Sequence, residues 1–235
     1  STLQGGHASI RSTPGTYIGD PHRNTRIYTP PEGLETIQHH LAAWERFIYS
    51  DHGLDPLVLM AATHYQFEAI HPFYDGNGRT GRILNILLLL QEDVLSLPVL
   101  YLSGYIVDNK AEYYRLLNAV TASGAWEDWL LFMVQAVAES ARSTSLLIDD
   151  LRHLQDTTTQ RVRELGIAPA AELTELLFIQ PYIRIGDVID RGLAKRQTAS
   201  SWLAALAEAQ ILDEWKVGRS KVFLNTAALE ILTRR

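Results

Sequence analysis

Residues 71–82 read "HPFYDGNGRTGR": one histidine, one carboxylate, three glycines, an asparagine and two arginines within twelve positions. The stretch joins two helical patterns, and its composition decides what kind of fold surrounds it. Upstream, Asp55 to Ile70 reads as a helix, with Asp55 as N-cap and Pro56 at the first helical position. His71-Pro72 stops it, because a residue before proline avoids helical dihedrals. Downstream, Arg79 to Gln91 is a strongly apolar helix. Between them, Asp75-Gly76-Asn77-Gly78 accepts positive φ without penalty. Successive N–H groups there would form a nest at a helix N-terminus, suited to phosphate oxygens.

The charges sharpen this reading. Arg79 and Arg82 lie three apart in the first helical turn, where positive charge opposes the macrodipole unless an anion is bound. Forked hydrogen bonds from both would grip more than one phosphate. Asp75 beside an anion site calls for a cation, and a carboxylate holding Mg²⁺ against phosphate oxygens supplies that logic. His71 is placed to act as a base near neutral pH. Together these residues describe phosphoryl or nucleotidyl transfer. A simple interhelical turn would not need both arginines. The Walker A spacing is not met and no strand precedes the glycines. A hydrolytic metal site on His64, His71 and Asp75 leaves the arginines unexplained. A lone helical histidine such as His64 reads more simply as hydrogen-bonded structure.

Working outward, the opening stretch to about Pro31 is rich in Gly, Pro, Thr and Ser, with an extended piece at Thr25 to Tyr28. Apolar residues at 34, 37, 41, 44 and 48 predict a helix from Leu34 to Tyr49. Further helices are expected over Asn109 to Ala122 and Ala125 to about Thr158, with Trp126 and Trp129 as core. From Gly166 the pattern becomes helix pair, strand, turn at Gly218-Arg219, strand, the outline of a winged helix-turn-helix. The expected fold is therefore mostly α: a helical catalytic domain over residues 1–165 and a small α+β winged-helix domain over 166–235.

Composition sets the outer limits. The 235 residues include 46% hydrophobic positions and no cysteine, which excludes disulfides and thiolate metal sites and makes the cytoplasm the expected compartment. The longest apolar run, Ile83 to Leu90, contains Asn85 and is too short to span a bilayer. Net charge is −6, but residues 180–235 carry 9 Lys and Arg against 6 Asp and Glu. Lys195, Arg196, Lys216, Arg219 and Lys221 would lie where DNA-binding winged helices contact phosphates. The six acidic residues dilute that charge, and protein docking is the preferred reading over DNA.

The motif resembles the signature of the Fic (Fic/Doc) family, H-P-F-x-[DE]-G-N-G-R-x-x-R, at every specified position. The similarity extends to "HASIR", "PGTYIGD" and "YTPPEG" upstream and "VLYLSGYIVDNKAEYYRLL" downstream, over about residues 1 to 140. The resemblance implies a protein adenylyltransferase: AMP passes from ATP to a Ser, Thr or Tyr hydroxyl of a target protein and pyrophosphate leaves, with the reverse reaction open to a full-length form. It implies His71 as base, Asp75 as the Mg²⁺ ligand, and Gly76, Asn77 and Gly78 as the anion hole, with the Asn77 side chain on the α-phosphate. Arg79 would contact the β-phosphate and Arg82 the γ-phosphate. Asn109 and Tyr113 would neighbour adenine or ribose. Arg26, Ile27 and Tyr28 would form a flap that docks the target by strand addition.

Intact Gly78 and Arg82 favour AMP transfer over UMP, phosphate or phosphocholine transfer. A DNA-binding regulator carrying this core is the reading from another class. The inhibitory [ST]-x-x-x-E-[GN] helix of many relatives has no match among the glutamates here, and the expectation is that it lies upstream of Ser1. Whether the chain works as a homodimer is left open by the sequence.

Overall fold

The computed structural model describes residues 9–20, 25–218 and 220–234. Arg219, on which an expectation was placed, lies outside them. The chain divides into two compact units, 1–144 and 145–235.

The first unit opens with a hairpin, β1 (Ile18–Asp20) and β2 (Thr25–Tyr28), paired antiparallel with Ile18 opposite Tyr28. Five helices follow: α1 (Leu34–Ile48), α2 (Pro56–Ile70), α3 (Asn77–Gln91), α4 (Leu102–Asp108) and α5 (Lys110–Ser123). The long helix α6 (Trp126–Glu164) comes next, and the division between units falls inside it. Helix α2 starts as its sequence dictates, with the Asp55 carboxylate accepting from Leu57 N–H and Pro56 leading. It is apolar all round, and nine of its fifteen residues are buried, which makes it the central helix of the unit. Around it Leu59, Met60, Leu89, Leu102, Leu116, Trp129 and Met133 close one core. The Trp129 indole N–H donates to the Ala61 carbonyl at 2.9 Å, fixing α6 to α2.

Two expectations shift here. The helix expected from Arg79 begins at Asn77, because Gly76 at φ 85° makes the turn two residues earlier. The segment before Asn109 was given no element, yet Leu102–Asp108 forms α4, and Asn109 at φ −110°, ψ 30° separates it from α5. Seven residues are too few for a periodic signal to stand out.

The second unit contains the rest of α6, then α7 (Ala170–Ile179), β3 (Tyr182–Ile183), α8 (Ile185–Asp190), α9 (Arg196–Glu208), β4 (Asp213–Val217), β5 (Ser220–Leu224) and α10 (Thr226–Thr233). The sheet is antiparallel in the order β3-β5-β4. Leu173, Leu177, Val188, Leu203, Leu206 and Phe223 form its core. This is the mostly α architecture with a small α+β unit that the patterning predicts; strand β3 and helix α10, the latter capped by the Asn225 side chain on Ala228 N–H, were unforeseen. The boundary expected at residue 165 lies next to the end of α6 at Glu164, whereas the division into compact units falls inside that helix, after Thr144. Among the described residues no helix is long and apolar enough to cross a membrane.

Candidate active site

Helix α2 ends against Pro72, and the chain leaves it through His71 in the left-handed region (φ 48°, ψ 59°). That conformation costs a non-glycine residue about 1–2 kcal/mol, so neighbouring structure must hold it. Arg11 does so. This fully buried arginine donates from Nε to the His71 carbonyl (2.7 Å) and from Nη2 to the Ile70 (3.2 Å) and Pro31 (2.5 Å) carbonyls. Its own N–H bonds the Pro72 carbonyl at 2.9 Å, and Ile10 bridges Phe73. A guanidinium at a helix C-terminus also complements the dipole there.

The loop closes on itself through Asn77, which is 2% exposed. Its Oδ1 accepts from Phe73 N–H (2.9 Å) and its Nδ2 donates to the Phe73 carbonyl (2.7 Å). The side chain that the resemblance places on the α-phosphate is thus engaged with the loop backbone. Helix α3 then starts with no acidic residue in its first turn and no side-chain cap, so the leading N–H groups of Asn77, Gly78 and Arg79 have no intrahelical partner. Asp75 sits at the rim, its Oδ1 accepting from Gly76 N–H (2.7 Å) and its Oδ2 from Arg79 Nη2 (3.1 Å). Both partners of that ion pair are exposed, so it is weak and free to exchange. Arg82 is steadied through Nε, which donates to Ser103 Oγ on α4 at 2.9 Å.

Burial decides the protonation states. His71 is held below the ordinary imidazole value, chiefly by burial and further by Arg11, while the Glu68 carbonyl opposes the shift. The ring's Nδ1 is buried and without a hydrogen-bond partner. His71 is therefore neutral at pH 7 and able to take a proton. His64 is pushed to about 4 by burial; its Nε2 pairs with the Tyr113 hydroxyl at 2.9 Å and its ring stacks on Trp129, so it belongs to the core.

This loop lies in the part of the chain that has known relatives. Residues 3–89 match the model of the Fic/DOC family. The chain carries a Fic/DOC family domain. Residues 154–228 match a second model, described as the C-terminal domain of a SoFic-like protein adenylyltransferase. The chain is 32% identical over 101 residues to protein adenylyltransferase fic-1 of Caenorhabditis briggsae, covering 41% of this chain and 19% of that protein. It is 36% identical over 78 residues to protein adenylyltransferase Fic of Drosophila melanogaster, covering 31% and 16%. The chain thus spans less than a fifth of the length of these curated relatives. Among solved structures, a Fic family protein from Desulfovibrio desulfuricans G20 aligns with a TM-score of 0.46 at 22% identity, over 84% of this chain and 57% of that one.

Within the Fic domain the remaining sequence-predicted residues fall in different places. Tyr113 is 4% exposed and bonded to His64 in the core. Asn109 sits between α4 and α5 with its Nδ2 on the Tyr105 carbonyl (2.9 Å). The open slot is instead a small cleft between the hairpin, α2 and α5, lined by Ile18, Tyr28, Glu68, Tyr114, Leu117 and Thr121. Tyr28 anchors the hairpin through its hydroxyl on the Ala69 carbonyl (2.8 Å), and the Arg26 guanidinium lies 4.8 Å over the Tyr17 ring. A larger cavity of about 560 Å³ between α1, α2 and α3 is lined by Leu41, Trp44, Phe67 and Leu88 and touches neither arginine nor Asp75. Sequence reading passed over Arg11, Ser103 and Tyr114; only Tyr114, adjacent to Tyr113 on α5, carried a local signal.

Proposed function

We propose that the protein is an ATP-dependent protein adenylyltransferase. The observation that carries this reading is a neutral histidine, locked in a left-handed conformation, at the mouth of a helix N-terminal nest flanked by two arginines. The nest and Arg79 and Arg82 bind and orient the triphosphate, which sets the α-phosphorus near His71. His71 Nε2 takes the proton of the incoming Ser, Thr or Tyr hydroxyl, that oxygen bonds to the α-phosphorus, and pyrophosphate departs. Asn77 serves this arrangement as the clamp that shapes the loop, with its backbone N–H in the nest. The cleft beside Tyr114 and Leu117 suits a flat base, with Ile18 of the hairpin as its lid.

Mg²⁺ fits the donor set. Among the described residues no cluster of three metal-binding side chains occurs, and the exposed Asp75 carboxylate at the rim of the nest suits an ion whose other ligands are phosphate oxygens and water. Asp75 would hold it, and its chemistry there is charge neutralisation on the polyphosphate. The β1–β2 hairpin supports target docking by strand addition. We read the second unit as a winged helix used for protein docking, since Lys221 on β5 is neutralised by Glu214 on β4 at 2.7 Å and Trp215 is 61% exposed.

The test is incubation of the chain with Mg²⁺, a lysate and ATP labelled on either the α- or the γ-phosphate. Label from the α-position should appear on Ser, Thr or Tyr of a target, and His71→Ala should lower the rate about 10²- to 10⁴-fold while nucleotide still binds. Label arriving from the γ-position instead would replace this reading with phosphoryl transfer.

A further inference from the structure

Glu68 is a buried carboxyl that the mechanism above does not use. It lies on α2 three residues before His71, 8% exposed, and its Oε1 has no hydrogen-bond partner. The carboxyl points at α3, where two glycines leave room for it: Oε1 lies 2.9 Å from the point a Cβ on Gly81 would occupy and 3.7 Å from the corresponding point on Gly78. Arg82 Nη1 lies 3.1 Å from that same Gly78 point. Carboxyl and guanidinium therefore share one small gap under the nest, with no ion pair closed between them, while Arg82 is steadied elsewhere by Ser103.

We propose that Glu68 is a positioning residue for Arg82, and that polyphosphate binding at the α3 N-terminus is coupled to proton uptake by the Glu68 carboxyl. This rests on the reading that Arg82 takes phosphate oxygens. As a carboxylate, Glu68 attracts the guanidinium inward and competes with the ligand. As a neutral acid it releases Arg82 to the nest. One guanidinium cannot form a close charged pair with both.

Among the described residues, Arg82 is the only permanent charge acting on this carboxyl. On α2, His64 is neutral, with its pKa near 4, and His71 contacts only the Glu68 backbone carbonyl. On α5, Tyr113 and Tyr114 are held protonated by burial, as is Tyr28 of the hairpin. Tyr65 also borders the cleft. Burial pushes Glu68 up to about 7, and Arg82 pulls against that shift. Both forms are therefore populated near neutrality. When phosphate oxygens engage Arg82, the pull is spent and their own charge adds repulsion, so the carboxyl's pKa rises and it takes up a proton. By linkage the effect is reciprocal: affinity is highest below the free-state value and falls as pH rises through it, by up to about tenfold per pH unit, until the bound-state value is reached.

The experiment is calorimetric titration of the chain with a non-hydrolysable Mg·ATP analogue, from about pH 6 to about pH 8, in two buffers of different protonation enthalpy. The parent should take up a fraction of a proton and lose affinity as pH rises. Glu68→Gln should bind with only the ligand's own proton exchange and a flat profile, and AMP, too short to reach Arg82, should show no uptake in either protein. Equal uptake in parent and Glu68→Gln, or none in the parent, overturns the coupling and leaves the site reading standing. Failure of any nucleotide to bind the parent overturns both. Should Glu68→Gln not fold, the parent's side-chain carboxyl ¹³C titration decides. A buried glutamate titrating near 7 must move upward with the analogue bound, and a midpoint that stays put refutes the proposal.

Discussion

Replacing Arg11 should damage the site without touching any residue of the motif. The guanidinium makes three bonds to carbonyls, those of His71, Ile70 and Pro31, all at the exit of α2. Hydrogen bonds with one charged partner contribute roughly 1.5–3 kcal/mol each, and removing the donor leaves the buried Ile70 carbonyl bond and the two part-buried ones unmade, although the three are not independent. Arg11→Ala should therefore destabilise the domain by about 4 kcal/mol. Arg11→Lys keeps the charge but presents its donors from one point, and should lose about 2 kcal/mol. The left-handed His71 then has less to hold it, and a displacement of about 1 Å at a catalytic group can lower a rate about 10²-fold. Urea denaturation gives the stability, and AMP transfer measured well below the melting temperature gives the rate. If Arg11→Ala changes stability by less than about 1 kcal/mol and transfers AMP at the parent rate, Arg11 does not hold His71 in place.

Asp75→Asn should weaken the Mg²⁺ dependence of nucleotide binding by about tenfold or more, read from Mg²⁺ titrations at fixed nucleotide; an unchanged dependence would move the metal ligand elsewhere. Loss of the exposed Asp75–Arg79 pair should itself leave the melting temperature nearly unchanged. Gly81→Ala should be destabilising by about 1–3 kcal/mol, because the new Cβ would lie 2.9 Å from Glu68 Oε1 and 3.1 Å from His64 Cε1. A thermal melt matching the parent would show that α2 and α3 have slack there.

Much of the architecture was legible because its causes are local. Asp55-Pro56 starts α2 and His71-Pro72 ends it through dihedral preferences of those residues alone. Likewise, helical spacing of apolar residues sufficed for α1, and the alternation of helix and strand signals after Gly166 announced the second unit. The motif invited a chemical reading for a similar reason: glycines, arginines, aspartate and histidine in twelve positions leave few uses for so much charge beside so little side chain.

What the sequence determined by itself was the inventory of reactive groups and the helices that carry them. Only the tertiary structure decided which way those groups face and what they lean on. Tyr113 and Tyr114 are adjacent on α5, and spacing cannot tell which is core; packing against His64 and Trp129 buries the first and leaves the second to line the cleft. Asn77 had two plausible partners, a ligand or its own loop, and the fold brings Phe73 within 2.7 Å. Arg11 acts on carbonyls up to 60 residues away, and Glu68 meets Arg82 across a gap that exists only because α2 and α3 approach at glycines. Burial, hydrogen-bond completion and pKa are properties of such long-range neighbours, and no window of local sequence contains them.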